Sequence, residues 1–148
     1  MSKSDQEFIV GRCLCEAVEY HVVDDFSYAF NCHCSQCRRA TGSAFKPFAG
    51  IRREAITVVR GKSKLNLYGD TVNACDCHCS LCGSLLFSVV RDGEFAHVTL
   101  GTLVDPPSIR VEAHIFVGSK APWFEITDNL PQHLELPLPS RDEQSERQ

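Results

Sequence analysis

Apolar and polar residues alternate with a period of two along most of this chain, which is the pattern of β-strands with one buried face. The alternation recurs in six segments, at residues 17–22, 56–59, 64–68, 84–90, 95–100 and 109–117. Turn-forming residues separate the segments, among them Gly61, Gly69, Gly93 and the pair Pro106-Pro107. We therefore predict a mainly β fold.

One segment breaks this alternation and favours a helix. Ser35 belongs to a residue type that caps helices at their start, and Gly42 to the type that ends them. We predict one short helical turn between these two residues, directly after the Cys-x-Cys-x-x-Cys motif of residues 32–37.

Length and charge restrict the domain organisation and the partners. The 148 residues suffice for one domain with a real core, to which we assign residues 1–136. Residues 137–148 offer little to bury and are expected to form a disordered tail.

No stretch approaches the roughly 20 apolar residues of a membrane span, so we expect a cytoplasmic protein without a membrane partner. The formal net charge of -4 argues against a nucleic-acid partner.

The nine cysteines are more than packing requires. In a reducing compartment we expect them to be metal ligands rather than disulfide partners. They form three groups, namely Cys13 with Cys15, then Cys32, Cys34 and Cys37, then Cys75, Cys77, Cys79 and Cys82. Such closely spaced thiolates favour zinc, with iron as the main chemical alternative. Residues 32–37 recur almost unchanged at 77–82, which we interpret as one ligand-bearing loop used twice.

The spacing alone leaves two ways to divide the thiols. A closed structural zinc site has four protein ligands, whereas a catalytic site commonly has three. One solution joins Cys13 and Cys15 to Cys79 and Cys82, and leaves residues 32–37 without an obvious fourth ligand. In the other solution, Cys75 or Cys77 completes that local triad.

Five motifs resemble a known family when they are taken together and in order. They are GRCLCEAV from residue 11, CHCSQCRRATGS from residue 32, CSLCGS from residue 79, HIF from residue 114 and WFEI from residue 123. Between about residue 8 and residue 133, the chain resembles the glutathione-dependent formaldehyde-activating enzyme family, which also includes centromere protein V.

The resemblance implies a fold, two metal sites and an activity. The fold would be a tent-like zinc fold of antiparallel sheets, shared with a Rab-binding chaperone family. A structural zinc would lie on Cys13, Cys15, Cys79 and Cys82, and a second zinc on Cys32, Cys34 and Cys37. The activity would be that of a carbon–sulfur lyase, which reversibly adds glutathione to formaldehyde to give S-hydroxymethylglutathione.

The second site suggests a mechanism. A zinc ion with three thiolates carries a net negative charge and is a weak Lewis acid, so it suits the activation of an incoming thiol better than that of a carbonyl. We therefore assign the catalytic role to Cys32, Cys34 and Cys37. Arg38, Arg39 and Lys46 follow the triad and are the candidates to bind the carboxylates of a glutathione-like substrate, although one arginine of the pair is expected to be solvated.

Two alternative functions stay open at this point. One is a zinc-stabilised binding or chaperone module without catalytic activity, in which the second site is closed by a further ligand. The other is a redox or metal-buffer role, which requires Cys75 or Cys77 to be exposed with a lowered pKa. We expect His33 and His78 to point away from the metal, because side chains alternate along a strand. Trp123 and Phe124 are expected to fill the core.

Overall fold

The computed structural model describes residues 7–137 and divides its strands between two sheets. The three-stranded sheet has the order β1-β2-β5, and the seven-stranded sheet the order β10-β3-β4-β9-β8-β7-β6. All neighbouring strands are antiparallel except the parallel pair β10 and β3. The strands are β1 (Phe8–Arg12), β2 (Glu19–Val23), β3 (Tyr28–Cys32), β4 (Lys46–Arg52), β5 (Ile56–Arg60), β6 (Leu65–Thr71), β7 (Ala74–Cys79), β8 (Leu85–Val90), β9 (Phe95–Thr99) and β10 (Ala113–Ile115). The predicted mainly β fold with antiparallel sheets is confirmed.

Every alternating segment of the sequence contains a strand, but the last one is much shorter than predicted. Only Ala113–Ile115 of residues 109–117 forms ladder pairs, with β3 on one side. Four strands, β1, β3, β4 and β7, were not predicted from the alternation of apolar and polar residues. Strand β4 is buried on both faces over most of its length, so its sequence does not alternate.

The predicted helix is present as α1 (Ser35–Thr41). Its N-cap is Cys34 rather than Ser35, because the Cys34 Sγ accepts a hydrogen bond from the backbone N–H of Cys37 at 3.3 Å. Gly42 ends the helix as predicted, with φ of 65° and its N–H bonded to the carbonyl of Arg38.

The two faces of the large sheet have different surroundings. One face packs against the small sheet and forms the main core, which includes Tyr20, Val22, Phe87 and Val98. Cross-strand pairs place the following residues together on the opposite face: Tyr28, Phe30 and Cys32 of β3, Lys46 and Phe48 of β4, His97 of β9, Ser88 of β8 and Asp76 of β7. We call this second face the site face.

Trp123 and Phe124 were both expected to fill the core, but only Phe124 is partly buried. Trp123 is 71% exposed, so its placement in the core was wrong, while Phe124 is partly buried against Phe45 and His33. Apart from Pro137, the expected disordered tail lies outside the described residues. Within residues 7–137, the helices are all too short or too polar to cross a membrane.

Candidate functional site

Four thiols from two distant parts of the chain meet where the two sheets join. Cys13 and Cys15 follow β1, whereas Cys79 ends β7 and Cys82 lies in the next turn. Their Sγ atoms all lie within 4.8 Å of one another, and two of the distances are 3.7 Å. Four thiolates bound tetrahedrally to zinc at about 2.3 Å are about 3.8 Å apart. This cluster therefore fits a zinc ion without rearrangement.

Hydrogen bonds from the surrounding loops hold these thiols in place. The backbone N–H of Val18 donates to the Cys13 Sγ at 3.3 Å. The Ser84 hydroxyl lies 3.3 Å from the Cys82 Sγ and also accepts a hydrogen bond from the backbone N–H of Leu14 at 2.9 Å. Ser84 thus ties the two ligand-bearing loops to each other, which fixes the cluster before a metal binds.

The other cluster consists of three thiols that are close in sequence. Cys32 ends β3, Cys34 caps α1, and Cys37 lies in the first turn of the helix. Their Sγ atoms also lie within 4.8 Å of one another, and within residues 7–137 no fourth cysteine, histidine or carboxylate joins them. The neighbouring Cys32 thiol and burial raise the pKa of Cys37. Thiols this crowded ionise together only if a cation neutralises them, and zinc is such a cation.

Cys75 and Cys77 belong to neither cluster. Both point into the main core, where they are 7% and 3% exposed, on the face of the sheet opposite to Cys32. Neither can complete the three-thiol cluster from that side. Burial, followed by the neighbouring Cys75, raises the pKa of Cys77 to about 12. A redox role would need an exposed thiol with a lowered pKa, so the structure speaks against that alternative.

A wide cleft of about 1420 Å³ runs between α1 and strands β6 to β8. Gln36 and Arg39 line it from the helix, and Asp76, His78 and Ser88 line it from the sheet. Pockets for molecules of drug size have volumes of roughly 300–1,000 Å³, so this cleft is large enough for a tripeptide. Its lining is a mixture of polar and apolar groups and carries charges of both signs, among them Arg39 and Asp76.

The three predicted substrate-binding residues lie in different environments. Arg39 is exposed and lines the cleft. Lys46 is only 5% exposed, and its Nζ donates to the Ser88 hydroxyl at 2.8 Å. That hydroxyl in turn donates to the Asp76 carboxylate at 2.6 Å. Arg38 is partly buried, and its Nε finds no partner among the described residues.

A chain of hydrogen bonds begins next to the three-thiol cluster, at His33 between Cys32 and Cys34. His33 is fully buried, and its Nε2 lies 2.8 Å from Nδ1 of His114, whose Nε2 lies 2.9 Å from the Asp128 carboxylate. A carboxylate only accepts, so His114 donates to Asp128 and accepts from His33. Burial, followed by the nearby His114, lowers the pKa of His33 to about 4. Sequence reasoning missed Asp128, because nothing in its local pattern sets it apart.

Comparisons with known proteins agree with this geometry. A sequence model of the family described as glutathione-dependent formaldehyde-activating enzyme matches residues 8–119. The chain belongs to this family. A Halomonas elongata protein that bears the family's name is 30% identical over 125 residues, covering 78% of this chain and 79% of the relative. A Penicillium rubens relative with the same name is 30% identical over 60% of this chain and 51% of its own length.

A solved structure supports the fold assignment independently. A crystal structure of a Rhodobacter sphaeroides protein is similar with a TM-score of 0.55 and 31% sequence identity. The similarity covers 68% of this chain and 92% of that protein. Family membership therefore supports a role that involves glutathione and formaldehyde.

Proposed function

We propose that this protein is a zinc-dependent enzyme of the carbon–sulfur lyase type, which forms and cleaves the adducts of glutathione with small aldehydes such as formaldehyde. The observation that carries the proposal is the three-thiol cluster of Cys32, Cys34 and Cys37. This cluster has no fourth protein ligand among residues 7–137, and its helix borders the wide cleft. A cluster of three leaves a coordination position for a substrate, as catalytic zinc sites do.

The two clusters would have separate roles. Cys13, Cys15, Cys79 and Cys82 would hold a structural zinc, and Cys32, Cys34 and Cys37 a second one. When bound to the three-thiol cluster, zinc would lower the pKa of an incoming thiol and so supply the nucleophile as a thiolate. The distances within the four-thiol cluster support the first assignment, and the crowding of ionisable thiols supports the second.

The reaction itself balances without an oxidant or reductant. The thiol sulfur forms a bond to the aldehyde carbon, the π electrons of the carbonyl move to its oxygen, and the proton released by the thiol ends on that oxygen. S-hydroxymethylglutathione is the product when the aldehyde is formaldehyde. In the reverse direction the carbon–sulfur bond breaks and the hydroxyl proton returns to sulfur.

The cationic side chains near the cleft would orient the peptide part of the substrate. Arg39 is placed to bind a glutathione carboxylate, because it is exposed and lines the cleft. The fixed charge of Lys46 acts on the thiols instead, since it opposes the increase in the pKa of Cys37 that Cys32 and burial cause. Arg38 is the second candidate for a carboxylate, because its buried Nε has no partner among residues 7–137.

The alternative function, a zinc-stabilised binding module without activity, also has a supporting observation. Leu67, Tyr68 and Val72 at the edge strand β6 and its turn are 48%, 74% and 70% exposed. Exposed apolar residues at a sheet edge are typical of interaction surfaces. Measurements of zinc content and of aldehyde exchange separate the two functions.

The test is to measure zinc content and aldehyde exchange in the intact protein and in Cys34→Ser. Serine is a good N-cap, so this variant keeps the capping hydrogen bond of α1 and removes only the thiolate. We expect two zinc ions in the intact protein, of which the variant loses one together with the exchange between formaldehyde and glutathione. If the intact protein catalyses no exchange above the uncatalysed rate, the enzymatic proposal is wrong and the binding module replaces it.

A further inference from the structure

A second, smaller pocket of about 230 Å³ opens on the site face. Its walls are mainly aromatic and apolar. They include Tyr28, Phe30, Phe48, His97 and Ile115, with Arg91 at the rim. The aromatic rings pack edge-to-face and stacked, with His97 stacked on Phe48 at 4.2 Å between centroids. The pocket adjoins the wide cleft, since Val90 and Arg91 line both, but a larger share of its lining is apolar.

The wall of this pocket continues into the three-thiol cluster. Phe48, Ile115 and Cys32 form one buried apolar cluster, against which Phe30, Cys34 and Cys37 pack. Phe30 and Cys32 lie on the same face of β3, and Ile115 pairs with Cys32 across the sheet. A group bound to sulfur at the cluster is therefore next to the pocket.

The charges around the pocket decide which ligands suit it. Aromatic boxes often bind cations, but here Arg91 lies 5.6 Å from the Tyr28 ring and Lys46 lies 6.0 Å from the Phe48 ring. These two cations, together with the stronger effect of burial, lower the pKa of His97 to about 3, so this histidine is neutral near pH 7. The positive surroundings disfavour a cationic ligand, and the mainly apolar walls favour an apolar group.

The size of the pocket exceeds what formaldehyde needs. A one-carbon aldehyde occupies the space of one or two water molecules, roughly 30–60 Å³. An apolar cavity of roughly 150 Å³ holds benzene, so about 230 Å³ admits a substituted phenyl ring.

We propose that this pocket receives the apolar group of a larger aldehyde, and that the substrates of this enzyme therefore include aryl aldehydes as their glutathione adducts. This inference rests on the proposed function and extends its substrate class. The thiol adds across the carbonyl as described above, so that the former carbonyl carbon, which carries the aryl ring, is bonded to sulfur and bears the new hydroxyl. The ring then lies in the pocket while the peptide lies in the wide cleft.

The first test is a binding measurement that needs no turnover. S-benzylglutathione carries an aryl group on the glutathione sulfur, and S-methylglutathione is its one-carbon counterpart. By calorimetry we expect the zinc-loaded protein to bind the benzyl compound at least about tenfold more tightly, because a ring adds several buried carbons. Equal affinity for the two compounds would contradict the inference while leaving the proposed function intact.

Two variants test whether the preference for S-benzylglutathione comes from the pocket. Leu136→Trp adds bulk at the exposed rim, and Phe30→Trp adds bulk to a partly buried wall. Each should remove most of the preference for the benzyl compound. Leu136→Trp should in addition leave the affinity for S-methylglutathione unchanged, because Leu136, unlike Phe30, does not belong to the cluster of residues packed around the three thiols. Leu134→Trp is the matched control, since Leu134 is 74% exposed and does not line the pocket. A preference that persists in both pocket variants overturns the assignment.

Benzyl alcohol separates the inference from the proposed function. We expect benzyl alcohol to bind in ligand-observed NMR, and we expect Leu136→Trp but not Leu134→Trp to abolish this binding. That result would support the aryl pocket by itself. It would do so even if no glutathione compound bound and the lyase proposal were wrong. If benzyl alcohol does not bind, and the glutathione compounds bind equally well, the aryl pocket is wrong and formaldehyde remains the substrate of the proposed reaction.

Discussion

Residues 32–37 and residues 77–82 have almost the same sequence, but the fold uses them differently. In the first segment Cys32, Cys34 and Cys37 all join one cluster. In the second segment only Cys79 and Cys82 join a cluster, and Cys77 lies in the core. The interpretation of one ligand-bearing loop used twice is therefore wrong in part.

The difference comes from where the strand ends. Strand β3 ends at Cys32, so the chain turns at once and Cys34 caps the helix, which brings the thiols together. Strand β7 continues through Cys79, and two residues on the same face of a strand lie about 7 Å apart along it. Cys77 is thus held away from Cys79. The length of the preceding strand decides whether a Cys-x-Cys pair converges.

The two clusters also differ in what they join. The four-thiol cluster connects residues 64 positions apart and lies between the two sheets. The three-thiol cluster is local, and the helix that carries it has no buried residue in its span. A metal that closes a long loop stabilises the fold, because the free energy of binding becomes free energy of folding. A local cluster contributes less to folding and leaves the metal accessible to a ligand.

The largest expected effect follows from breaking the long-range cluster. Structural zinc sites in small peptides contribute about 10–16 kcal/mol of apparent binding free energy, which is comparable to the whole stability of a domain. We expect Cys79→Ser to lose the cooperative thermal transition in circular dichroism. Cys34→Ser, in the local cluster, should keep that transition and serves as the control. A well-folded Cys79→Ser protein would show that the four-thiol cluster is not a structural zinc site.

Much of this arrangement could be anticipated from the sequence, because ligand chemistry and alternation are local signals. The cysteine spacing and the family motifs indicated the two clusters, and the alternation indicated the sheets. Strand β7 was missed because its apolar face is made of cysteines, namely Cys75, Cys77 and Cys79, which were interpreted only as candidate ligands. Strand β4 was missed because burial on both faces removes the period of two.

The supporting contacts could not be anticipated, because they join residues that are far apart in the chain. The hydrogen bond between His33 and His114 spans 81 positions, and the next one in the chain ends at Asp128. Likewise, the pocket beside the thiols combines strands β3, β4, β8, β9 and β10. The sheet order that brings these strands together is not encoded in any single segment.

An intermediate effect, on zinc affinity, is expected from the hydrogen bonds that link His33, His114 and Asp128. Asp128→Leu removes the acceptor for His114, whereas Asp128→Asn keeps an oxygen that accepts the same hydrogen bond. Partners bonded directly to metal ligands typically contribute about 10–100-fold in metal affinity, and Asp128 acts less directly, through His114 and His33. We therefore expect Asp128→Leu to weaken binding of the second zinc by about tenfold, the lower end of that range, as measured by competition with a chelator. Asp128→Asn should stay near the intact protein. Equal metal affinity in both variants would show that the chain from His33 to Asp128 does not support the cluster.

The smallest effect is expected at Cys77, which shares its sequence context with the proposed ligand Cys32. Its side chain packs among apolar residues of the core and is 3% exposed. Valine has a similar size and no polar atom, so Cys77→Val should change the free energy of unfolding by less than about 1.5 kcal/mol in urea titrations. Both zinc ions should be retained, unlike in Cys79→Ser two positions further along the same strand face. Loss of a zinc ion in Cys77→Val would mean that this thiol reaches a metal after all, and that β7 is not continuous through Cys79 in the zinc-loaded protein.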